Sequence, residues 1–274
     1  MKKVVLVTGA SSGIGLDTCY KFLEKGFIVY GAARRLENMQ EFAEKGGHAV
    51  YMDLTDKKSV DLCINRIKLE QGRVDILVNN AGYAAGGSLE EIPIDEARCQ
   101  FDVNVFGLML VIQKVLPLMR EQGEGRIINV SSIAGRFSSP FLGWYHASKY
   151  SVEALSSSLR MEVASFGIKV ILIEPGFIRT SWGVIAADSI SKCCTGGPYE
   201  KSAAGSIEFY KKNYCGKGRI SSPSVVSSCI VKASCKKHPG LRYNPGKYSK
   251  ILVLITRFMP LRVFDFLCKI FFHV

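Results

Sequence analysis

The chain has 274 residues, 47% of them hydrophobic and 22% charged, which is enough to bury a substantial core and excludes a disordered polypeptide. Its formal net charge of +12 is unevenly placed: residues 1–210 balance at 23 basic and 23 acidic side chains, whereas residues 211–274 hold 13 basic residues and one acid, Asp265. The charge alone would suit nucleic acid, but no recognition motif accompanies it, so no nucleic-acid partner is expected.

Nine cysteines are scattered without a C-x-x-C pair, and the adjacent Cys193 and Cys194 have poor geometry for a bridge. Reduced thiols in a cytoplasmic compartment are the simplest account. His48, His146, His238 and His273 lie far apart with no H-E-x-x-H, and no metal site is expected.

The opening MKK followed by Val4–Val7 has the look of a signal-peptide front. The apolar run is short and meets a glycine-rich turn, so it reads as a first strand, Val4–Thr8. TGASSGIG follows, and glycines at 9, 13 and 15 let the backbone turn tightly and approach a pyrophosphate at the start of a helix over Ile14–Lys25. A second strand, Phe27–Ala33, ends in Arg34 and Arg35, where an acid would hydrogen-bond an adenosine ribose. Cations here suit a 2′-phosphate and favour NADP over NAD; the alternative is a solvated basic pair.

Further strands are expected over His48–Asp53, Ile76–Asn79, Arg126–Ser131 and Lys169–Glu174. Helical periodicity marks Lys57–Gln71, Phe101–Arg120 and Tyr145–Ser165 between them. This alternation predicts an α/β fold, a doubly wound parallel sheet with helices on both faces and ligands at the strand C-terminal edge. No linker splits the chain, so a single domain over 1–274 is expected. Residues 177–222 show no clean period and read as a substrate lid.

In WYHASKYSV, Tyr145 stands four residues before Lys149, so a phenol and an ammonium share one helix face. A nearby cation stabilises the phenolate and pulls its pKa down from about 10.

Thr8-Gly9-x-x-x-Gly13-Ile14-Gly15, Asn79-Asn80-Ala81-Gly82, Asn104, Ser132, Tyr145-x-x-x-Lys149 and Pro175-Gly176 together resemble the short-chain dehydrogenase/reductase family in order and spacing, over roughly residues 1–182. The resemblance implies a Rossmann-like sheet of about seven strands and hydride transfer with NADP(H). It implies Tyr145 as general acid/base, Lys149 tuning it and holding the nicotinamide ribose, Ser132 on the substrate oxygen, and Asn104 in a proton relay through water. Sequence alone does not separate Ser132 from its neighbour Ser131; the family's spacing to the tyrosine favours Ser132. Cofactor contacts are implied for Gly9, Ser11, Ser12, Gly13, Ile14, Gly15, Arg34, Arg35, Asp53, Leu54, Asn80, Ala81, Gly82, Pro175, Gly176, Ile178 and Thr180. Asp53 could equally cap the helix starting near Asp56. A homodimer or homotetramer is implied as well.

Phe137, Phe141, Leu142, Trp144, Phe177, Trp182 and Tyr199 suggest a pocket for a hydrophobic carbonyl or alcohol substrate, although aromatic residues in such numbers also build cores. Arg242-Tyr243 and Met259-Pro260-Leu261-Arg262 are loosely similar to the branch of the family holding 17β-hydroxysteroid, retinol and acyl-dihydroxyacetone-phosphate reductases. The apolar, basic extension over 249–274 is broken by Pro260 and by charges, so it is not a clean membrane span. It covers the core or a dimer surface, lies in a membrane interface as a peripheral contact, or attracts an acidic substrate. The expected activity is an NADP-dependent oxidoreductase acting on CH–OH groups. The alternative is a non-catalytic dinucleotide sensor or membrane-associated scaffold with the same fold.

Overall fold

The computed structural model describes residues 2–214 and 220–272. Residues 215–219 of the expected lid and 273–274 of the expected tail lie outside the described residues.

Seven strands form one parallel sheet: β1 (Val4–Thr8), β2 (Ile28–Ala33), β3 (His48–Tyr51), β4 (Ile76–Asn79), β5 (Gly125–Val130), β6 (Ile168–Ile173) and β7 (Arg242–Tyr243). Their spatial order is β3-β2-β1-β4-β5-β6-β7. The helices are α1 (Gly13–Glu24), α2 (Gln40–Glu44), α3 (Lys57–Gln71), α4 (Ile94–Phe101), α5 (Leu108–Gln122), α6 (Gly143–Glu162), α7 (Trp182–Cys194), α8 (Glu200–Tyr214), α9 (Pro223–Cys235), α10 (Ser249–Phe258) and α11 (Leu261–Phe272).

The strands read as continuous apolar runs because both sheet faces are covered. In β1 the period-two alternation sends Val4 and Leu6 into the layer with Ile67, Ile112 and Leu159, and Val5 and Val7 into the layer with Phe22 and Ile230. The chain builds β1, β2 and β3 outward in one direction, then crosses to β4 on the other side of β1. That reversal opens a crevice over the C-terminal ends of β1 and β4, where the sequence placed its ligand.

The expected strands and helices are present, with ends shifted by at most three residues except in the helix expected over Phe101–Arg120. Three differences have physical causes. The helix expected from Phe101 begins earlier, and a π-helical turn over Asp102–Gly107 joins α4 to α5. Leu54 presses on that turn so closely that a Cβ on Gly107 would lie 2.6 Å from the Leu54 Cβ. The joined helix, Ile94–Gln122, is long and apolar enough to cross a membrane by length and composition only, and Val111, Ile112, Val115 and Met119 spend that apolarity in the core.

The second difference is that residues 177–222 hold α7 and α8 rather than irregular chain. Many of their inward residues are small or polar (Gly183, Ala186 and Ala187 in α7; Ala203, Gly205 and Ser206 in α8), and the larger buried ones, Ile190, Tyr210 and Tyr214, are too few to draw a clear apolar stripe. The third is β7, two residues with no apolar run, held by Leu172↔Arg242 and Ile173↔Tyr243 pairing. The segment is tied at its base: Ile178 bridges Ser221, and the Arg179 N–H donates to the Ser221 carbonyl at 2.8 Å.

Candidate active site

A cavity of about 1110 Å³ runs across the C-terminal ends of the strands, from Arg34 and Arg35 at one end to Tyr145, Trp182 and Tyr214 at the other. At its first end the glycine loop fits a dinucleotide. Gly9 and Gly13 have φ of +67° and +54°, a region that L side chains avoid. A Cβ on Gly9 would stand 2.7 Å from the Ala81 Cα, so the loop and the Asn79–Gly82 segment can meet only through glycine. The Thr8 hydroxyl oxygen accepts from the N–H groups of Asn80 and Ala81, and Asn80 Nδ2 donates to the Thr8 carbonyl at 3.1 Å. Ser12 precedes α1 in extended conformation and makes no side-chain cap, which leaves the first amides of the helix directed at the cavity.

Gly9, Ser11, Ser12, Gly13, Ile14, Arg34, Arg35, Asp53, Leu54, Asn80, Ala81, Gly82, Pro175, Gly176, Ile178 and Thr180 all line the cavity. Gly15 does not. It sits behind the loop, where a Cβ would be 2.2 Å from the Gly9 carbonyl oxygen, so it shapes the turn instead. Arg34 points a guanidinium at Asp53 across 4.0 Å. Asp53 is not the helix cap: Asp56 caps α3 by accepting from the Lys58 N–H, while Asp53 accepts from both the N–H and the hydroxyl of Thr55.

At the other end, α6 carries Tyr145 and Lys149 one turn apart, with the ammonium 5.8 Å from the phenol ring centroid. Both side chains are buried, and Lys149 Nζ donates to the Val130 carbonyl at 3.0 Å. Burial pushes the phenol of Tyr145 up to about 12, with the Ser132 hydroxyl beside it pulling the other way. The same burial lowers the Lys149 ammonium to about 8, against the nearby Glu153 carboxylate. The net shift of the phenol is therefore upward, set by desolvation, and opposite in direction to the one expected from the lysine.

Ser132 leaves β5 and starts a short 3₁₀ turn, its Oγ accepting from the Ala134 N–H at 3.1 Å. Ser131 is more deeply buried, its N–H bound to the Ile173 carbonyl. It is Ser132 whose hydroxyl faces Tyr145, the choice that spacing favoured. Asn104, presented by the π-helical turn, does not reach the cavity wall. Its Nδ2 donates to the Tyr83 carbonyl at 2.9 Å and to Ser148, and its Oδ1 accepts from the Tyr83 N–H. A Cβ on Gly82 would nevertheless lie 3.0 Å from that Oδ1 and 3.7 Å from Lys149 Nζ, so Asn104 and Lys149 both approach the space that the missing side chain leaves.

Of the aromatic and apolar candidates, Phe137, Leu142, Phe177 and Trp182 line the cavity. Phe141 and Trp144 instead pack the wall behind it, and Tyr199 is tied to Glu90 at the surface. Sequence reasoning missed Tyr210 and Tyr214, which stack around Trp182, and His146, whose Nδ1 meets the Ala134 carbonyl and whose Nε2 accepts from the Ser139 N–H. The tyrosines lie on α8, which had no visible period, and His146 carries no motif. Glu91, Cys193 and Cys194 bring ligand atoms within 4.8 Å of one another, but burial holds both thiols above their ordinary range and disfavours the thiolates a metal needs.

Residues 3–186 match the family model of the short chain dehydrogenase. The chain is 35% identical over 279 residues to the 3-ketodihydrosphingosine reductase of Bacteroides thetaiotaomicron, covering 99% of this chain and 98% of that one. It is 40% identical over 216 residues to the NADPH-dependent 3-dehydrocapnine reductase of Ornithobacterium rhinotracheale, covering 75% and 74%. Among solved structures, a short-chain dehydrogenase from Streptomyces avermitilis is similar with a TM-score of 0.79 and 32% identity, over 93% of this chain and 91% of that one. Sheet order, nucleotide cradle and these matches agree, and the chain belongs to the short-chain dehydrogenase/reductase family of oxidoreductases, whose fold binds a nicotinamide dinucleotide.

Proposed function

We propose that the protein is an NADP(H)-dependent oxidoreductase that interconverts a ketone or aldehyde and an alcohol on a hydrophobic, lipid-, steroid- or retinoid-like substrate. The observation that carries this reading is the meeting of Tyr145, Lys149 and Ser132 on one wall of a cavity whose other end is Arg34 and Arg35. NADP(H), when bound, supplies or accepts the hydride.

In the reducing direction Tyr145, fully protonated at neutral pH, gives its hydroxyl proton to the carbonyl oxygen as charge develops there. The Ser132 hydroxyl donates a hydrogen bond to the same oxygen. Lys149, anchored on the Val130 carbonyl, places its positive charge beside the phenolate left behind and lowers its cost. Asn104, whose Oδ1 accepts from the Tyr83 N–H behind the wall, would join a water relay only through the Gly82 segment beside Lys149. The helices α7 and α8 act as the lid, with the Trp182 ring 5.0 Å from that of Tyr145. The names of two relatives, a 3-ketodihydrosphingosine reductase and an NADPH-dependent 3-dehydrocapnine reductase, support a carbonyl substrate and NADPH. Cytoplasmic placement with a peripheral membrane contact, and a homodimer or homotetramer, complete the reading.

The test is to follow NADPH and NADH oxidation over a panel of lipid, steroid, retinoid and small ketones. Turnover that needs Tyr145 establishes the reaction class, and NADPH binding with silence across the panel would count against it.

Cofactor choice is tested separately. Replacing Arg34 and Arg35 together by alanine removes two cations from the 2′-phosphate end, and KM for NADPH is expected to rise about tenfold or more, with KM for NADH nearly unmoved. Equal changes for both cofactors would remove the arginines from this role.

Reduction is also expected to depend on pH through Lys149. Since Tyr145 stays protonated to about 12, the alkaline limb of kcat/KM belongs to the lysine, which loses its proton at about 8. The rate should therefore hold below pH 8 and fall above it. A Lys149→Arg variant keeps its charge and should flatten that limb, even if its overall rate is lower.

A further inference from the structure

We propose that α10 and α11 form a docking face for an anionic lipid bilayer, placed so that the bilayer adjoins the mouth of the substrate cavity. An amphipathic helix that covers a core turns its apolar stripe inward. Here the stripes face out. In α10 the residues Ile251, Leu254, Ile255 and Phe258 recur at helical spacing, and all four are exposed, Phe258 to 72%. In α11 the same spacing gives Val263, Phe266, Leu267 and Ile270, again all exposed, with Phe266 at 62%. Leu261, between the stripes, is 79% exposed.

Among the described residues α11 rests on the protein through aromatic rings: Phe264 packs on Phe137 with ring centroids 5.7 Å apart, and Phe271 and Phe272 both pack on Phe209, at 4.9 and 5.3 Å.

Charge selects the occupant. The two helices carry Lys250, Arg257, Arg262 and Lys269 against Asp265 alone, and the whole formal excess of the chain lies after residue 210. At 3.6 residues per turn these cations stand roughly a quarter-turn or more from the centre of each apolar stripe, where long side chains reach lipid headgroups while the stripe enters the acyl boundary. A second copy of this chain fits poorly, because a two-fold contact through this face would set like charges against each other.

The face meets the cavity along this aromatic edge: Phe264 packs on Phe137, which lines the cavity, and Phe272 lines it beside Tyr210 and Tyr214, while Phe271 stays exposed although its ring rests on Phe209. An apolar substrate leaving the bilayer would meet the cavity at that point. This last step rests on the proposed substrate class, whereas docking itself does not.

The experiment is co-sedimentation of the full chain with phosphatidylcholine vesicles, with and without phosphatidylglycerol, alongside a Phe258→Ser/Phe266→Ser variant whose fold is checked by NADPH binding. Each basic residue near an anionic surface contributes roughly fivefold, so omitting phosphatidylglycerol should weaken binding about tenfold or more. Losing two exposed phenyl groups should weaken it about a hundredfold. Vesicle binding is read without turnover, so its failure is distinct from failure of the proposed reaction. Wild-type protein left in the supernatant, or a variant that binds as well as wild type, would overturn the proposal. So would a wild-type dimer that the same two substitutions split, which would give the face to a second copy.

Discussion

Replacing Tyr145 by phenylalanine is expected to lower kcat/KM for carbonyl reduction by about a hundredfold to ten-thousandfold, the range for loss of a positioned proton donor. The ring remains to pack on Trp182, so stability and NADPH affinity should stay within a few-fold of wild type. Stopped-flow or steady-state absorbance of NADPH, with cofactor binding measured in parallel by fluorescence, separates the two quantities. A Ser132→Ala variant keeps the phenol and loses one donor to the carbonyl oxygen, so its deficit should be smaller, on the order of a hundredfold. If Tyr145→Phe turned over like wild type, the proton would have to come from elsewhere in the cavity, and the mechanism proposed for this site would fall.

The second large effect is expected far from the substrate. Arg242 donates to Glu153 and to Glu174, the latter at 2.5 Å, and to the Ser157 hydroxyl at 3.2 Å. Both carboxylates are buried, and Asn244 holds the second oxygen of Glu174. Substituting Arg242 by methionine keeps the stem and strands two carboxylates without their cation, which should cost about 3–5 kcal/mol of folding stability in urea or thermal unfolding.

The deficit should depend on pH with a definite sign. Burial, and then the charge of Glu174, raise the Glu153 carboxyl, and Arg242 opposes them. Removing Arg242 lifts the folded-state pKa further above the unfolded value. The variant therefore binds more protons when folded, and its stability is lost as pH rises through that higher pKa. The deficit should be smaller near pH 5 than near pH 8. A Glu153→Gln change in the same variant should recover part of it, while a uniform deficit across pH would show that Arg242 acts by packing alone. Because Glu153 also opposes the lowering of the Lys149 pKa, the same variants should shift the alkaline limb of the rate profile.

How much was legible in the sequence follows from what each residue needs its neighbours to do. The strands from Val4 to Ile173 were readable because burial on both faces demands unbroken apolar runs, and the glycine loop because Gly9 and Gly13 occupy conformations that other residues avoid. Tyr145 and Lys149 were readable as a pair because helical spacing alone puts them on one face. Asn104 was readable only as a member of a motif. Its position depends on a π-helical turn that no periodicity announces, and that turn holds it behind the cavity wall.

The helices α7 and α8 were hidden because most of their inward positions, such as Ala186, Ala187, Ala203 and Ser206, are small or polar, and Ile190, Tyr210 and Tyr214 alone do not make a visible period. β7 was hidden because its stability comes from Arg242 pairing with distant carboxylates, a partnership that only the folded chain creates. The sign of the Tyr145 shift was likewise beyond sequence, since spacing shows the lysine but not the degree of desolvation.

The bridge between Ile178 and Ser221 has a consequence for how such proteins diversify. Because the two ends of the intervening stretch lie side by side, that stretch is a closed excursion from the sheet edge. It can be lengthened, shortened or exchanged for another without displacing a single strand terminus. The glycine loop and the Arg34–Arg35 pair reside in the first two β-α units, and Tyr145 and Lys149 on one rigid helix. On the proposed function, coenzyme choice and proton chemistry thus occupy separate stretches of chain, and much of the substrate wall a third, each open to mutation while the others stay fixed.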